Sequence, residues 1–204
     1  MAIKDSQWVM RFRVEMTDIE PAIWRLIEVP AGYSFWDLHV AIQDAMGWLD
    51  YHLHAFTMPN RGHSGFRSIG IPDPDFDDDT VAGWELPIQS VYAELGDALQ
   101  YEYDFGDSWM HRVALVGKLL KTPGQRYPRC LEGARACPPE DCGSVSGYYS
   151  LLDILADPNH EDYEFMVGWL KGHARSYWPY DPNHFDPAEV KFESPKKRFK
   201  LAFP

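Results

Sequence analysis

The chain has few cysteines, no long apolar run and no excess of positive charge, and each absence excludes a class of protein. Three cysteines in 204 residues argue against the disulfide framework of a small secreted domain. No apolar run approaches the about 18 residues that span a bilayer, and the first residues lack the apolar stretch of a signal peptide. The net charge of −12 disfavours a nucleic-acid partner, because phosphate contacts need a basic surface. We therefore expect a cytoplasmic protein without a membrane segment.

Aromatic residues are abundant, and they predict a packed core. The chain contains 8 Trp, 11 Tyr and 11 Phe, which is ample surface to bury. We predict a single domain over residues 1–204. Residues 1–120 form its sheet-plus-helix part, and residues 121–204 form a Cys-rich and helical part that shares the same core, because this second part has too few apolar segments to fold alone.

The first 60 residues have the pattern strand, strand, helix, strand. Alternating apolar residues predict a half-buried strand over residues 7–16, and a second strand covers residues 23–29. Apolar residues at spacings of three and four predict an amphipathic helix over residues 35–48, with Ser34 as its N-cap. Residues 52–58 are a third strand. The two strands that precede the helix, residues 7–16 and 23–29, should be neighbours in the sheet.

The rest of the chain alternates between irregular and regular segments. Residues 60–85 are rich in Gly, Pro and Asp and predict a long surface excursion. Gly106 and Asp107 predict a two-residue hairpin turn. Residues 127–147 hold all three cysteines in a loop, and helices follow it. The predicted fold is α+β, with a mixed or antiparallel sheet on which the Cys-rich loop and the C-terminal helices pack.

The cysteines lie within thirteen residues and suggest a metal site. Thiolates favour zinc, which takes four ligands in structural sites. The predicted zinc ligands are therefore Cys130, Cys137 and Cys142 with one histidine, for which we select His111; His160 and His184 are the alternatives. The competing interpretation is that three buried thiols pack a Pro-rich loop.

A second candidate site is the polar face of the predicted hairpin. With a two-residue turn, Glu102 lies opposite His111 and Asp104 opposite Trp109, so a carboxylate and an imidazole are within reach. Such a pair can orient a metal ligand or act as general acid and base, or it can be a purely structural network.

His52 and His54 form a third candidate, because alternation along a strand places both imidazoles on one face. Satisfied surface or core histidines are the alternative. The predicted polar site combines the hairpin and this strand, and it comprises Glu102, Asp104, Asp107, Trp109, His111, His52 and His54.

Three blocks of the sequence resemble the plasmid pRiA4b ORF-3-like family: Pro21 to Phe56, Tyr101 to Val113 and Tyr127 to Leu170. The resemblance covers most of the chain and implies an α+β fold. It also implies a setting on plasmids, in mobile elements and in chromosomes, but no particular activity. The family pattern has two groups of residues, Tyr103, Asp104, Phe105, Gly106, Asp107, Trp109 and His111, then Cys130, Cys137, Pro138, Pro139, Glu140, Asp141, Cys142 and Gly143. Many members have Gly-Gly where this chain has Gly143 and Ser144.

Three functions follow from these patterns. The first is a non-enzymatic binding or adaptor module for a protein or peptide, with zinc holding the Cys loop, because no catalytic motif is complete. The second is a metal-dependent hydrolase that uses His52, His54, Asp104 or His111. The third is an accessory regulator of mobile-element DNA transactions, to which the basic residues Lys196 to Lys200 would contribute locally. No residue is assigned a catalytic role, and the sequence does not indicate the oligomeric state.

Overall fold

The computed structural model describes residues 7–58, 68–73 and 79–203, which form a mixed sheet with helices packed on it. In these residues the strands are β1 (Trp8–Met16), β2 (Trp24–Pro30), β3 (His54–Thr57), β4 (Ser68–Gly70), β5 (Thr80–Ala82), β6 (Ala98–Tyr103), β7 (Trp109–Leu120) and β8 (Arg129–Ala134). The α-helices are α1 (Phe35–Met46), α2 (Ser144–Ala156), α3 (Tyr163–Gly172) and α4 (Pro195–Ala202). The α+β class and the strand, strand, helix, strand opening are confirmed.

One sheet contains all the described strands, in the order β5-β4-β3-β6-β7-β1-β2-β8. Neighbouring strands are antiparallel, except that β4 and β5 are parallel. The central strand β1 alternates as its sequence predicts, and it buries Met10, Phe12 and Val14 on one face. The acidic residues Asp75, Asp77 and Asp78 of the predicted surface excursion lie outside the described residues.

Helix α1 covers the buried face of the sheet, and its ends follow the sequence signals. Ser34 caps the N-terminus: its hydroxyl accepts a hydrogen bond from the Asp37 backbone, and the Asp37 carboxylate accepts one from the Ser34 backbone. The helix ends at Met46, because Gly47 adopts a left-handed conformation with φ 93°. Trp48, predicted to end the helix, lies beyond it.

The hairpin between β6 and β7 differs from the prediction. Tyr103 pairs with Trp109, and Tyr101 pairs with His111, so the connection has five residues instead of two. Asp104 stabilises this wider loop, because its Oδ1 accepts a hydrogen bond from Gly106 N at 2.9 Å. The register is therefore shifted by one residue relative to the prediction.

The shifted register changes which side chains share a face. Trp109 and His111 lie with the buried tyrosines of β6, whereas Glu102 lies on the opposite face of the hairpin. The predicted polar face of Glu102, Asp104, Trp109 and His111 is therefore wrong.

The residues after β8 pack on the sheet through a few apolar anchors. Cys137 and Tyr148 belong to the same buried cluster as the strands and α1. Helix α4 packs on α1, and Trp36 Nε1 donates a hydrogen bond to Pro195 O at 3.1 Å. The basic residues Lys196 to Lys200 therefore belong to a docked helix. None of the described helices combines the length and hydrophobicity needed to cross a bilayer.

Candidate functional site

The cysteines lie in β8 and in the loop after it. In the described part of the chain, the only group of three or more His, Cys, Asp or Glu side chains with ligand atoms all within 4.8 Å contains no cysteine. The structure therefore does not place the ligand atoms of Cys130, Cys137, Cys142 and His111 within this distance of one another, and the zinc set stays a prediction.

Burial raises the pKa values of the three cysteine thiols. It raises the pKa of Cys130 to about 11 and holds the pKa values of Cys137 and Cys142 well above the usual range. All three cysteines are unpaired thiols. The two other histidines considered as zinc ligands have acidic neighbours of their own. His160 lies near Asp162, and His184 pairs with Glu189 at 3.0 Å.

His111 and Trp109 are core residues. His111 is fully buried, and its ring meets the ring of Trp48 edge-on with centroids 5.4 Å apart. Burial lowers the pKa of His111 to about 4, so this imidazole is neutral near pH 7. Trp109 is 1% exposed and stacks obliquely near Trp48. Neither side chain reaches solvent.

The group of close ligand atoms consists of His52, Asp104 and Asp141. His52 Nε2 is 2.9 Å from Asp141 Oδ1 and 3.6 Å from Asp104 Oδ2. Asp104 is nearly buried, whereas the Asp141 side chain is 51% exposed, so the group opens to solvent on one side. His173 Nε2 lies 3.8 Å from the other oxygen of Asp141. Two imidazoles and two carboxylates therefore meet at one place.

A buried glutamate holds the loops that carry this His–Asp cluster (His52, Asp104, Asp141). Glu140 is 1% exposed, and its carboxylate accepts hydrogen bonds from Leu49 N at 2.6 Å and from Tyr103 Oη at 3.1 Å. The same tyrosine oxygen accepts a hydrogen bond from Tyr51 N at 3.0 Å. The segment before His52, the end of β6 before Asp104 and the residue before Asp141 are thus joined directly.

Backbone contacts fix two of the three side chains further. Asp104 N donates to Leu53 O at 3.0 Å, which ties the residue after β6 to the residue after His52. Asp104 and Asp141 both adopt a left-handed backbone with φ 58°, which is uncommon for residues other than glycine. Such conformations persist only where surrounding contacts enforce them, and they concentrate at functional sites.

The other residues of the predicted polar site are distributed around the cluster. Asp107 Oδ2 accepts a hydrogen bond from Gly143 N at 3.1 Å and so ties the hairpin loop to the Cys loop. Glu102 accepts a hydrogen bond from Ser108 Oγ at 2.8 Å within the hairpin.

His54 points to a different environment from His52. Its ring stacks on His39 with centroids 3.4 Å apart and an angle of 7° between the planes. Burial is the main reason that the pKa of His54 lies well below its usual value. His39 contacts Asp50 at 2.9 Å, and Asp50 also accepts a hydrogen bond from Arg198 at 3.0 Å.

A cleft of about 1060 Å³ lies between the segment after α1 and the C-terminal residues. His52 and His54 both line it, together with residues of the segment between α3 and α4. The exposed side chains of Tyr51 and Leu53 flank His52 in its wall. Through His52, the His–Asp cluster therefore borders a cavity large enough for a small molecule.

Sequence reasoning named His52 and Asp104 but missed Asp141 and His173 as their partners. Asp141 stands in the motif Glu140-Asp141-Cys142, directly before one of the three cysteines. The cysteine spacing is the stronger pattern in this segment, and it does not indicate a role for the Asp141 carboxylate. His173 follows α3 and has no spacing that relates it to the other residues, so no signal in the sequence marks it.

The chemistry of the cluster fits a divalent cation. Imidazole nitrogen with carboxylate oxygen is a donor set that zinc, iron and manganese accept, whereas calcium and magnesium prefer oxygen alone. The hydrogen bond between His52 and Asp141 occupies the position where a cation would replace the shared proton.

The fold and the cluster together define an α+β protein with a His–Asp group at the edge of a cleft. Residues 8–189 match the family described as "Plasmid pRiA4b ORF-3-like protein", and the chain belongs to this family.

The chain is also similar to two other proteins. The chain is 33% identical to "Uncharacterized protein y4hQ" of Sinorhizobium fredii (strain NBRC 101917 / NGR234) over 162 residues, which cover 79% of this chain and 80% of that protein. A crystal structure of a protein of unknown function, MM3350 from Methanosarcina mazei Go1, superposes with a TM-score of 0.78 and 39% identity, covering 91% of this chain and 98% of that one.

Proposed function

We propose that this protein is a metal-dependent hydrolase with one divalent transition-metal ion at the His–Asp cluster. The observation that carries the proposal is the convergence of His52, Asp104 and Asp141, with ligand atoms all within 4.8 Å of one another. His52 Nε2 and one oxygen of each aspartate are the proposed ligands. His173 lies beside Asp141 and orients it or adds a fourth donor.

Hydrolysis is the reaction class that suits such a centre. A bound dication lowers the pKa of its water toward 7 and supplies hydroxide at neutral pH. The open side of the cluster leaves room for that water, and the adjoining cleft provides space for a substrate. The buried Glu140 holds the ligand loops in place, which supports a centre that is organised before the metal binds.

The test is metal binding by protein that has been dialysed against EDTA, followed by calorimetric titration with Zn²⁺ and with Mn²⁺. We expect one ion per chain, and we expect His52→Ala and Asp104→Asn to weaken binding by about 100-fold. Cys142→Ser and His184→Ala are the matched controls and should bind as the unmodified chain does. Binding that survives His52→Ala but is lost in Cys142→Ser would contradict the proposal.

Activity is then measured with a chromogenic phosphodiester and a chromogenic ester, with and without the added metal. Turnover that needs both metal and His52 supports a hydrolase. A centre that binds metal and turns over neither probe leaves the second candidate, a binding module for a protein or peptide. The exposed side chains of Tyr51 and Leu53 beside His52 favour that candidate, because they offer apolar contact area next to the cluster.

The role in mobile-element DNA transactions is suggested by the family setting alone. Arg198, one of the basic residues expected to contribute, is engaged by Asp44 and Asp50. The three unpaired thiols support a cytoplasmic location as part of the same proposal.

A further inference from the structure

Two arginines of the cleft lack an acidic partner. Arg198, in the same cleft, forms ion pairs with Asp44 and Asp50 at 2.8 Å and 3.0 Å. Arg25 and Arg175 also line the cleft, but among the described residues neither has a carboxylate within ion-pair distance. The hydrogen bonds that these two guanidinium groups make go to backbone carbonyl oxygens.

Arg25 is the more unusual of the two, because it is 1% exposed. Its Nε donates to Ala45 O at 2.9 Å, and its Nη1 donates to Trp24 O at 2.8 Å and Ala134 O at 3.0 Å. The guanidinium carbon lies 3.8 Å from the centre of the Phe185 ring. In the described part of the chain, Nη2 has no hydrogen-bond acceptor.

Taking a guanidinium out of water without a counter-charge is costly. The carbonyl oxygens near the end of α1 and the ring of Phe185 offset part of that cost, since a helix C-terminus and an aromatic face each attract a cation. Gly133 makes the ring contact feasible, because a Cβ at this position would lie 2.4 Å from Phe185. The positive charge of the Arg25 guanidinium nevertheless has no acidic partner among the described residues.

Arg175 reaches the same end of α1. Its Nη1 donates to Gly47 O, two residues beyond the carbonyl that Arg25 uses. Both guanidinium groups therefore lie in one part of the cleft, at the carbonyl end of α1.

We propose that this part of the cleft binds an organic anion, with Arg25 and Arg175 holding a carboxylate or phosphate group. Guanidinium groups bind these anions through paired N–H donors, and neither of these two arginines has a carboxylate within ion-pair distance among the described residues. The proposed site uses none of the ligand atoms of the His–Asp cluster and does not need a metal ion to bind its ligand.

The experiment uses EDTA-treated protein, so that its outcome is independent of metal binding and of hydrolysis. Inorganic phosphate and citrate are titrated calorimetrically at one ionic strength, which is kept constant with sodium chloride. We expect saturable binding of at least one probe, with one site per chain. Phosphate binding alone identifies a phosphoryl group as the preferred ligand, and citrate binding alone identifies a carboxylate.

Arg175→Gln should weaken this binding by about tenfold or more, since it removes one of two charged donors. Arg126→Gln changes an exposed arginine outside the cleft and should bind as the unmodified chain does. Arg25→Lys keeps the charge but loses the paired donors, and it should weaken binding in a protein whose circular dichroism spectrum is unchanged. No saturable binding of either probe up to about 10 mM, or equal weakening by Arg126→Gln, overturns the proposal.

Discussion

The part of the chain up to β7 and the part after it are held together by different forces. In the first part, alternating strands and one amphipathic helix bury Phe12, Ile27, Leu38 and many similar side chains. In the second part, buried apolar residues are fewer. Hydrogen bonds between side chains and backbone groups of the two parts contribute to its attachment. Trp48 Nε1, for example, donates to Pro138 O at 2.9 Å. Stability therefore resides mainly in the first part, whereas the geometry of the candidate sites depends on how the second part is attached.

The largest expected effect comes from a cavity in the first part. Phe12 is fully buried, and its ring meets that of Tyr92 edge-on at 4.8 Å. We expect Phe12→Ala to lower the free energy of unfolding by about 3–5 kcal/mol, as measured by urea denaturation. The control is Phe165→Ala on α3, where the side chain is 71% exposed and the expected change is within about 0.5 kcal/mol. Similar losses of unfolding free energy in Phe12→Ala and Phe165→Ala would show that stability does not reside mainly in the first part.

A second prediction concerns the buried histidine of β7. Because the pKa of His111 falls from 6.5 to about 4 on folding, the folded protein binds fewer protons than the unfolded chain in this range. The contribution of His111 is fully present above pH 6.5 and is lost as the pH falls toward 4.

That loss amounts to about 3 kcal/mol. Urea denaturation at a series of pH values should show a shallower fall in the free energy of unfolding for His111→Phe than for the unmodified chain. Parallel curves for the two proteins would show that this imidazole does not remain neutral in the core.

The smallest of these effects on stability, together with an effect on metal binding, is expected where the two parts meet. Glu140→Ala leaves Leu49 N and Tyr103 Oη without their acceptor, which should cost about 1–3 kcal/mol. It should also weaken Zn²⁺ binding by about 10- to 100-fold, because the ligand loops lose their common anchor. Glu164→Ala, on the exposed side of α3, is the control for both measurements. If the folded Glu140→Ala protein bound Zn²⁺ as tightly as the unmodified chain, Glu140 would not be needed to position the ligand loops.

The sequence predicts the first part well, because its signals are local. Ser34 and Gly47 mark the ends of α1 through hydrogen bonds and a backbone conformation that act within a few residues. The hairpin register was missed for an equally local reason, since the side chain of Asp104 stabilises a five-residue connection that the Gly106-Asp107 pair does not reveal.

The candidate site is only half predictable, because it depends on contacts between distant loops. His52 and Asp104 lie in segments with recognisable strand patterns, so their proximity follows from the pairing of β3 with β6. Asp141 joins them through the Cys loop, which has no periodicity that fixes its path. The spacing of the three thiols predicts a metal site, but the described residues whose ligand atoms lie within 4.8 Å of one another are His52, Asp104 and Asp141.

The parallel contact between His39 and His54 joins α1 to β3 through two stacked rings whose centroids are 3.4 Å apart. Burial holds the pKa of His54 well below its usual value, so this ring is uncharged near pH 7. The wall that α1 and β3 share is therefore closed at this point by an uncharged aromatic contact, although polar imidazole rings form it.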